Sequence, residues 1–157
     1  MASSCSLGIR VEKSSTKDWP ILHWAAFEPV DRKVIGHASV RPPRTYDEAT
    51  ALRHVHEKVQ AAVREHKVIH TLVWTIETVA RVNNTMRPRL RMEGVVCAAA
   101  SLAGATAELA TWAEVSARSA ATATKADYEK ATEIEGVAVG GAHPFAVLAA
   151  IAASGAS

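Results

Sequence analysis

The chain has 157 residues, 48% of them hydrophobic and 22% charged, with a formal charge of only +2. That length suits one domain with a real core, and the composition excludes a disordered or fibrous chain. It also excludes a global basic field, so any contact with nucleic acid has to come from a local patch. Much of the apolar content is alanine in the second half, which predicts closely spaced helices there.

Cys5 and Cys97 lie far apart, with no CxxC or Cys/His spacing. They predict small buried thiols in a reducing compartment, with neither a disulfide framework nor a zinc site. No basic segment followed by an apolar run opens the sequence, and Phe145 to Ala153 is apolar over only about half of the ~20 residues that cross a bilayer. The reading is a cytoplasmic protein without a membrane segment.

In chain order, residues 5–12, 21–27 and 34–40 read as three strands, joined by the polar loop 13–18 and the turn Pro29-Val-Asp-Arg32. Pro42-Pro43 stops this meander. Thr45 and Glu48 read as a capping box, followed by apolar residues at helical spacing (Ala49, Leu52, Val55, Val59, Ala62, Val63), which predicts a helix over 46–66. His54, His56 and His66 on this helix read as solvated or rim residues. The β-branched run 68–77 predicts a central strand covered on both faces. Pro88 opens a helix through Ala103, residues 107–116 read as a further strand, and 122–130 as a small polar helix. Gly140-Gly141 breaks the chain before a final alanine-rich helix, 143–153. The expected order is β-β-β-α-β-α-β-α-α, an α/β chain forming a single domain over 1–157.

Several stretches in this order resemble Holliday-junction resolvases of the RuvC type, within the ribonuclease H-like superfamily. Leu7-Gly-Ile-Arg10 is similar to the first-strand L-G-I-D, and Thr75-Ile-Glu77 to a central-strand I-E. Arg91-Met-Glu-Gly-Val-Val-Cys-Ala-Ala-Ala100 is similar to the small-residue helix behind that strand. Thr124-Lys125 is similar to a lysine-bearing segment, and His143-Pro-Phe-Ala-Val-Leu-Ala149 to the last helix, H/D-x-x-D-A-L-A. The resemblance implies a ribonuclease H-like fold, with a mixed five-stranded sheet and helices on both faces.

It also implies two-metal phosphodiester hydrolysis, in which carboxylates from the first strand, the central strand and the last helix hold magnesium or manganese. Carried over residue by residue, Glu77 matches the glutamate and His143 a position that is histidine in some members. Arg10 stands at the first aspartate and Ala146 at the last-helix aspartate. A guanidinium cannot ligate a metal and repels one, so the expectation is a blocked site, with Arg10 paired to Glu77 where the ion would sit. Glu12, two residues after Arg10 and on the same strand face, offers an alternative set: Glu12, Glu77 and His143 around one ion, with Glu93 in reserve. Taken alone, Glu12 reads as a solvated strand-end carboxylate.

Arg81, Arg87, Arg89 and Arg91 crowd the loop and helix start after the central strand, among Asn83, Asn84 and Thr85. Arg41 and Arg44 flank Pro42-Pro43, and Lys13 and Lys17 follow the first strand. Such a set suits phosphate contact; the alternative is a solvated helix start that Glu93 partly neutralises. Trp74 reads as core, Trp24 and Trp112 as core or edge packing, and Trp19 as the one candidate for stacking on a base.

The leading expectation is thus a domain that binds DNA or RNA by structure, with an impaired metal site and no cofactor. The alternatives are a divergent endonuclease using magnesium or manganese, and a protein-interaction module on the same fold. A homodimer is expected from the resemblance.

Overall fold

The computed structural model describes residues 4–13, 15, 17–75, 83–84 and 86–155. Its main sheet has five strands in the order β3-β2-β1-β4-β5: β1 (Cys5–Glu12), β2 (Ile21–Glu28), β3 (Lys33–Val40), β4 (Val68–Trp74) and β5 (Thr106–Ala110). β1 pairs antiparallel with β2, and β2 with β3, while β1–β4 and β4–β5 are parallel. The expected mixed sheet is present, with β1 at its centre.

Alternation along β1 divides the protein into two layers. Leu7, Ile9 and Val11 point to one face. There they meet α1 (Glu48–Glu65) and α2 (Arg87–Leu102) through Val55, Val59, Val63, Met92, Val96 and Ala100. Ser6, Gly8, Arg10 and Glu12 point to the other face, which is crossed by α5 (Pro144–Ser154). Burying each of these larger apolar side chains contributes about 1.5–3 kcal/mol.

Every residue of α5 from Phe145 to Ala153 is buried, as a helix apolar all round must be. Its alanines let it run close along β1. Ser6 Oγ donates to the Ala150 carbonyl at 2.6 Å, and a Cβ built on Gly8 would lie 2.0 Å from the Ala146 carbonyl oxygen. Glycine is therefore required at position 8 by the closeness of the helix backbone rather than by its own φ.

Several expectations need correction. The cap of α1 is Asp47, which accepts from the Thr50 amide at 2.7 Å, in place of a Thr45–Glu48 box. Its carboxylate reaches the third amide after it, as a short acidic side chain does best. The strand expected over 107–116 ends at Ala110. Thr111 and Glu114 form a capping box that starts α3 (Trp112–Arg118), so Trp112 is helical. The small polar helix is shorter, α4 (Lys125–Glu129), and it is followed by a hairpin the sequence reading lacked, β6 (Glu133–Ile134) and β7 (Val137–Ala138). Glu135 and Gly136, both at positive φ, make its turn. The strand expected over 68–77 is β4 to Trp74, with Thr75 already outside it and 76–77 outside the described residues; it is buried from Thr71 onward, while Ile69 near its start is 43% exposed. No helix among the described residues is long and apolar enough to cross a membrane.

Candidate functional site

The C-terminal ends of β1 and β4 and the first turn of α5 meet at one end of the sheet, and the chemistry-bearing side chains gather there. Arg10 lies opposite His23 in the β1–β2 register, and His23 lies opposite Ser39 in β2–β3. Directly paired residues share a face, so Arg10, His23 and Ser39 form a row. Glu12 joins it diagonally and His143, the cap of α5, closes it from above.

Glu12 accepts from both histidines: its Oε1 is 2.9 Å from His143 Nε2 and its Oε2 is 3.2 Å from His23 Nε2. The two imidazoles stack with centroids 4.1 Å apart and planes at 23°. The other ring nitrogens are also engaged. His143 Nδ1 accepts from the Phe145 amide at 3.2 Å, and His23 Nδ1 lies 2.7 Å from Ser39 Oγ. These contacts are all met when each ring carries its hydrogen on Nε2, Glu12 is ionised and the Ser39 hydroxyl donates to His23. Hydrogen bonds from His143, and then from His23, hold the Glu12 carboxyl well below the usual carboxylate range. Glu12 is thus a bonded group rather than the solvated one expected of it alone.

Arg10 is buried and turns toward the aromatic rings. Its guanidinium carbon is 4.7 Å from the Trp74 ring centroid and 5.5 Å from that of Phe145, and Nη1 donates to the Trp74 carbonyl at 3.4 Å. Trp74 stacks on Trp112 at 5.3 Å, and Lys125 Nζ sits 5.5 Å from the Trp74 ring. Such cation–aromatic contacts are worth more when desolvated. Glu77, the expected partner of Arg10, lies outside the described residues, as does Arg81. Ala146 is fully buried against β1 beside Gly8.

Of the alternative ligand set, the structure brings Glu12 and His143 together. It adds His23, which sequence reading passed over, and commits Glu93 elsewhere. Glu93 is 1% exposed, with one carboxylate oxygen bonded by Arg89 Nε at 3.0 Å and the other by Thr75 Oγ1 at 2.7 Å. Arg89 itself is buried, which corrects its place in the surface patch: it neutralises Glu93 inside the fold. The signal for His23 was present in β2. Period two puts His23 on the same face as Ala25 and Phe27, so a polar group there has to find a partner inside.

The remaining cations lie outside. Arg87 and Arg91 are exposed on the first turns of α2, and Arg41 is exposed beside Pro42. Arg91 bonds Glu48 at 2.6 Å, and Arg44 pairs with Asp18. Lys17, Asp18, Trp19, Arg44, Glu48 and Pro88 line one shallow cleft of about 310 Å³. Lys17 and Arg44 thus share this cleft with Asp18 and Glu48, Arg91 reaches it through its pairing with Glu48, and half-buried Trp19 stands in its wall.

Among the described residues, the donors at the sheet end do not make the all-oxygen set that a pair of magnesium ions takes. Magnesium takes oxygen ligands in near-octahedral array, whereas Arg10 and Ala146 offer none and the grouped donors are one carboxylate and two imidazoles.

Neither a protein-family model nor a curated protein matches the sequence. Solved structures do match the fold. RuvC of Thermus thermophilus in complex with a Holliday junction substrate superposes with a TM-score of 0.74 at 15% identity, over 97% of this chain and 93% of that one. A second Thermus thermophilus RuvC structure gives 0.71 at 17% identity, over 96% and 93%. The chain thus has a RuvC-like, ribonuclease H-like α/β fold.

Proposed function

We propose that this chain is a nucleic-acid-binding domain on a RuvC-like fold whose two-metal nuclease site is impaired. The observation that carries the reading is Arg10: a buried guanidinium packed against Trp74 and Phe145, on the first strand, β1, where the resemblance expects a metal-binding aspartate. Ala146 supports it, because a fully buried alanine stands where the last helix would supply a second carboxylate. A fixed cation and a missing acid remove the charge that holds divalent ions beside a scissile phosphate.

Binding rests on the cleft between the β1–β2 loop, the Arg41–Arg44 loop and the start of α2. Arg41, Arg44, Arg87 and Arg91 supply planar donors for phosphate oxygens, and Trp19 an aromatic wall for a splayed base. The neighbour solved with a Holliday junction makes four-way junction DNA the first substrate to try. A homodimer, in which two such clefts face one junction, belongs to the same reading.

A gel assay tests it, with labelled four-way junction, duplex and single-stranded DNA and RNA, each run with manganese and with chelator. Retarded, uncut substrate in both conditions supports the proposal.

A second reading has one observation in its favour. Glu12 and His143 lie 2.9 Å apart at the sheet end, so a divergent nuclease using one ion there, with Glu77, remains the competing account. Metal-dependent products lost in Glu77→Gln would favour it.

A further inference from the structure

We propose that Glu12, His23 and His143 form a site for a single transition-metal ion of the zinc(II) or cobalt(II) kind, distinct from the magnesium pair of the resemblance.

The three donor atoms lie within 4.8 Å of one another. The carboxylate-to-imidazole separations are 2.9 Å from Oε1 to His143 Nε2 and 3.2 Å from Oε2 to His23 Nε2. Ligands about 2.0–2.1 Å from a tetrahedral ion stand roughly 3.3 Å apart, so both separations are near what such an ion needs, and it asks for a turn of the carboxylate that brings one oxygen to both rings. The ligands come from β1, β2 and the cap of α5, three rigid elements. The histidine side chains are 10% and 18% exposed and that of Glu12 38%, so the carboxylate is the open side of the site. Two nitrogens and one oxygen select a borderline ion over magnesium and leave a fourth position for water or a phosphate oxygen. Arg10, on the same face, is turned to the Trp74 and Phe145 rings.

Proton bookkeeping gives the site a distinctive mark. Ligation through Nε2 moves the imidazole hydrogen of each ring to Nδ1, with one proton lost to solvent and one regained per ring. At His23 the new N–H points at Ser39 Oγ, 2.7 Å away, and donates to it. This is the outer hydrogen bond that orients a metal-bound imidazole. At His143 the new N–H faces the Phe145 amide, now 3.2 Å from Nδ1, so ligation breaks the side-chain cap of α5. The stacked rings must also fan apart for both nitrogens to converge on one ion. Metal loading is therefore reported by a backbone group that touches no ligand atom.

The test uses the purified, untagged full chain, titrated by calorimetry with zinc, cobalt and magnesium chlorides. Cobalt is also followed by visible absorption and zinc by the amide resonance of Phe145. The expected results are one zinc or cobalt per chain, a tetrahedral cobalt spectrum, a displaced Phe145 resonance and no response to magnesium. His23→Ala and Glu12→Gln each weaken binding by about tenfold or more. The proposal is overturned if zinc and cobalt fail to bind the wild type, if Phe145 stays in place, or if His23→Ala binds as tightly as the wild type. The spectrum and the resonance are read on the unmodified protein, so they decide the matter even where a variant fails to fold. None of these readouts requires the chain to bind nucleic acid.

Discussion

His143 caps helix α5 through one ring nitrogen and donates to Glu12 through the other, at 3.2 and 2.9 Å. One residue thereby fixes both the first turn of the last helix and the only described carboxylate among the grouped donors at the sheet end. The position that the resemblance assigns to metal binding is, in this chain, tied into a hydrogen-bonded chain running to Ser39 on β3.

Arg89 and Arg91 sit two residues apart on α2 yet should behave oppositely. Arg89→Ala strands a buried Glu93, and breaking such a pair costs about 3–5 kcal/mol, with junction binding unchanged where the protein still folds. Urea denaturation of the two single variants checks this, since Arg91→Ala is expected to lie within about 0.5 kcal/mol of the wild type.

Removing Arg87 and Arg91 together should weaken junction binding across all sequences and reduce the slope of log affinity against log salt by about 2. Fluorescence anisotropy over a salt series reads this directly. An unchanged slope would place the phosphate contacts elsewhere.

Gly8→Ala puts a methyl group into the α5 backbone, with the Ala146 oxygen and Ala150 nitrogen both within 2.2 Å of it. Neither neighbour is a flexible side-chain end, so the helix has to move. The expected loss is about 1–3 kcal/mol or more, seen as a lower thermal midpoint.

The cap of α1 should make stability depend on acid. Hydrogen bonds from the Thr50 backbone, chiefly, hold Asp47 below its ordinary value. A depressed carboxylate stabilises the fold fully above its unfolded pKa, and that contribution fades as pH falls through the folded one. Asp47→Ala should therefore lower the melting temperature by a few degrees near neutrality, and the gap to wild type should close in strong acid. Melting curves across that range decide it.

The fold was legible because its long elements carry clear periods. β1, α1 and the β-branched run of β4 follow from spacing alone, and their order led to the ribonuclease H-like arrangement. The misses share one cause, local polar chemistry overriding an apolar pattern. Thr111 and Glu114 cap a helix inside what reads as a strand, and Asp47 outcompetes Thr45. At the site, Glu12 and His143 were visible through strand alternation and the last-helix motif. His23 becomes a partner only through the antiparallel register of β1 and β2, which no local spacing encodes. Arg89 looks like surface charge until the α2 face that meets the sheet is known.

The central claim is binding without two-metal cleavage. The most direct measurement incubates the purified chain with labelled four-way junction DNA in magnesium, in manganese and in chelator, and resolves both complex and strand length. The account predicts the same retarded complex in all three and full-length strands throughout. Shortened strands in either metal, absent in chelator, would contradict it and make the sheet end an active nuclease centre despite Arg10.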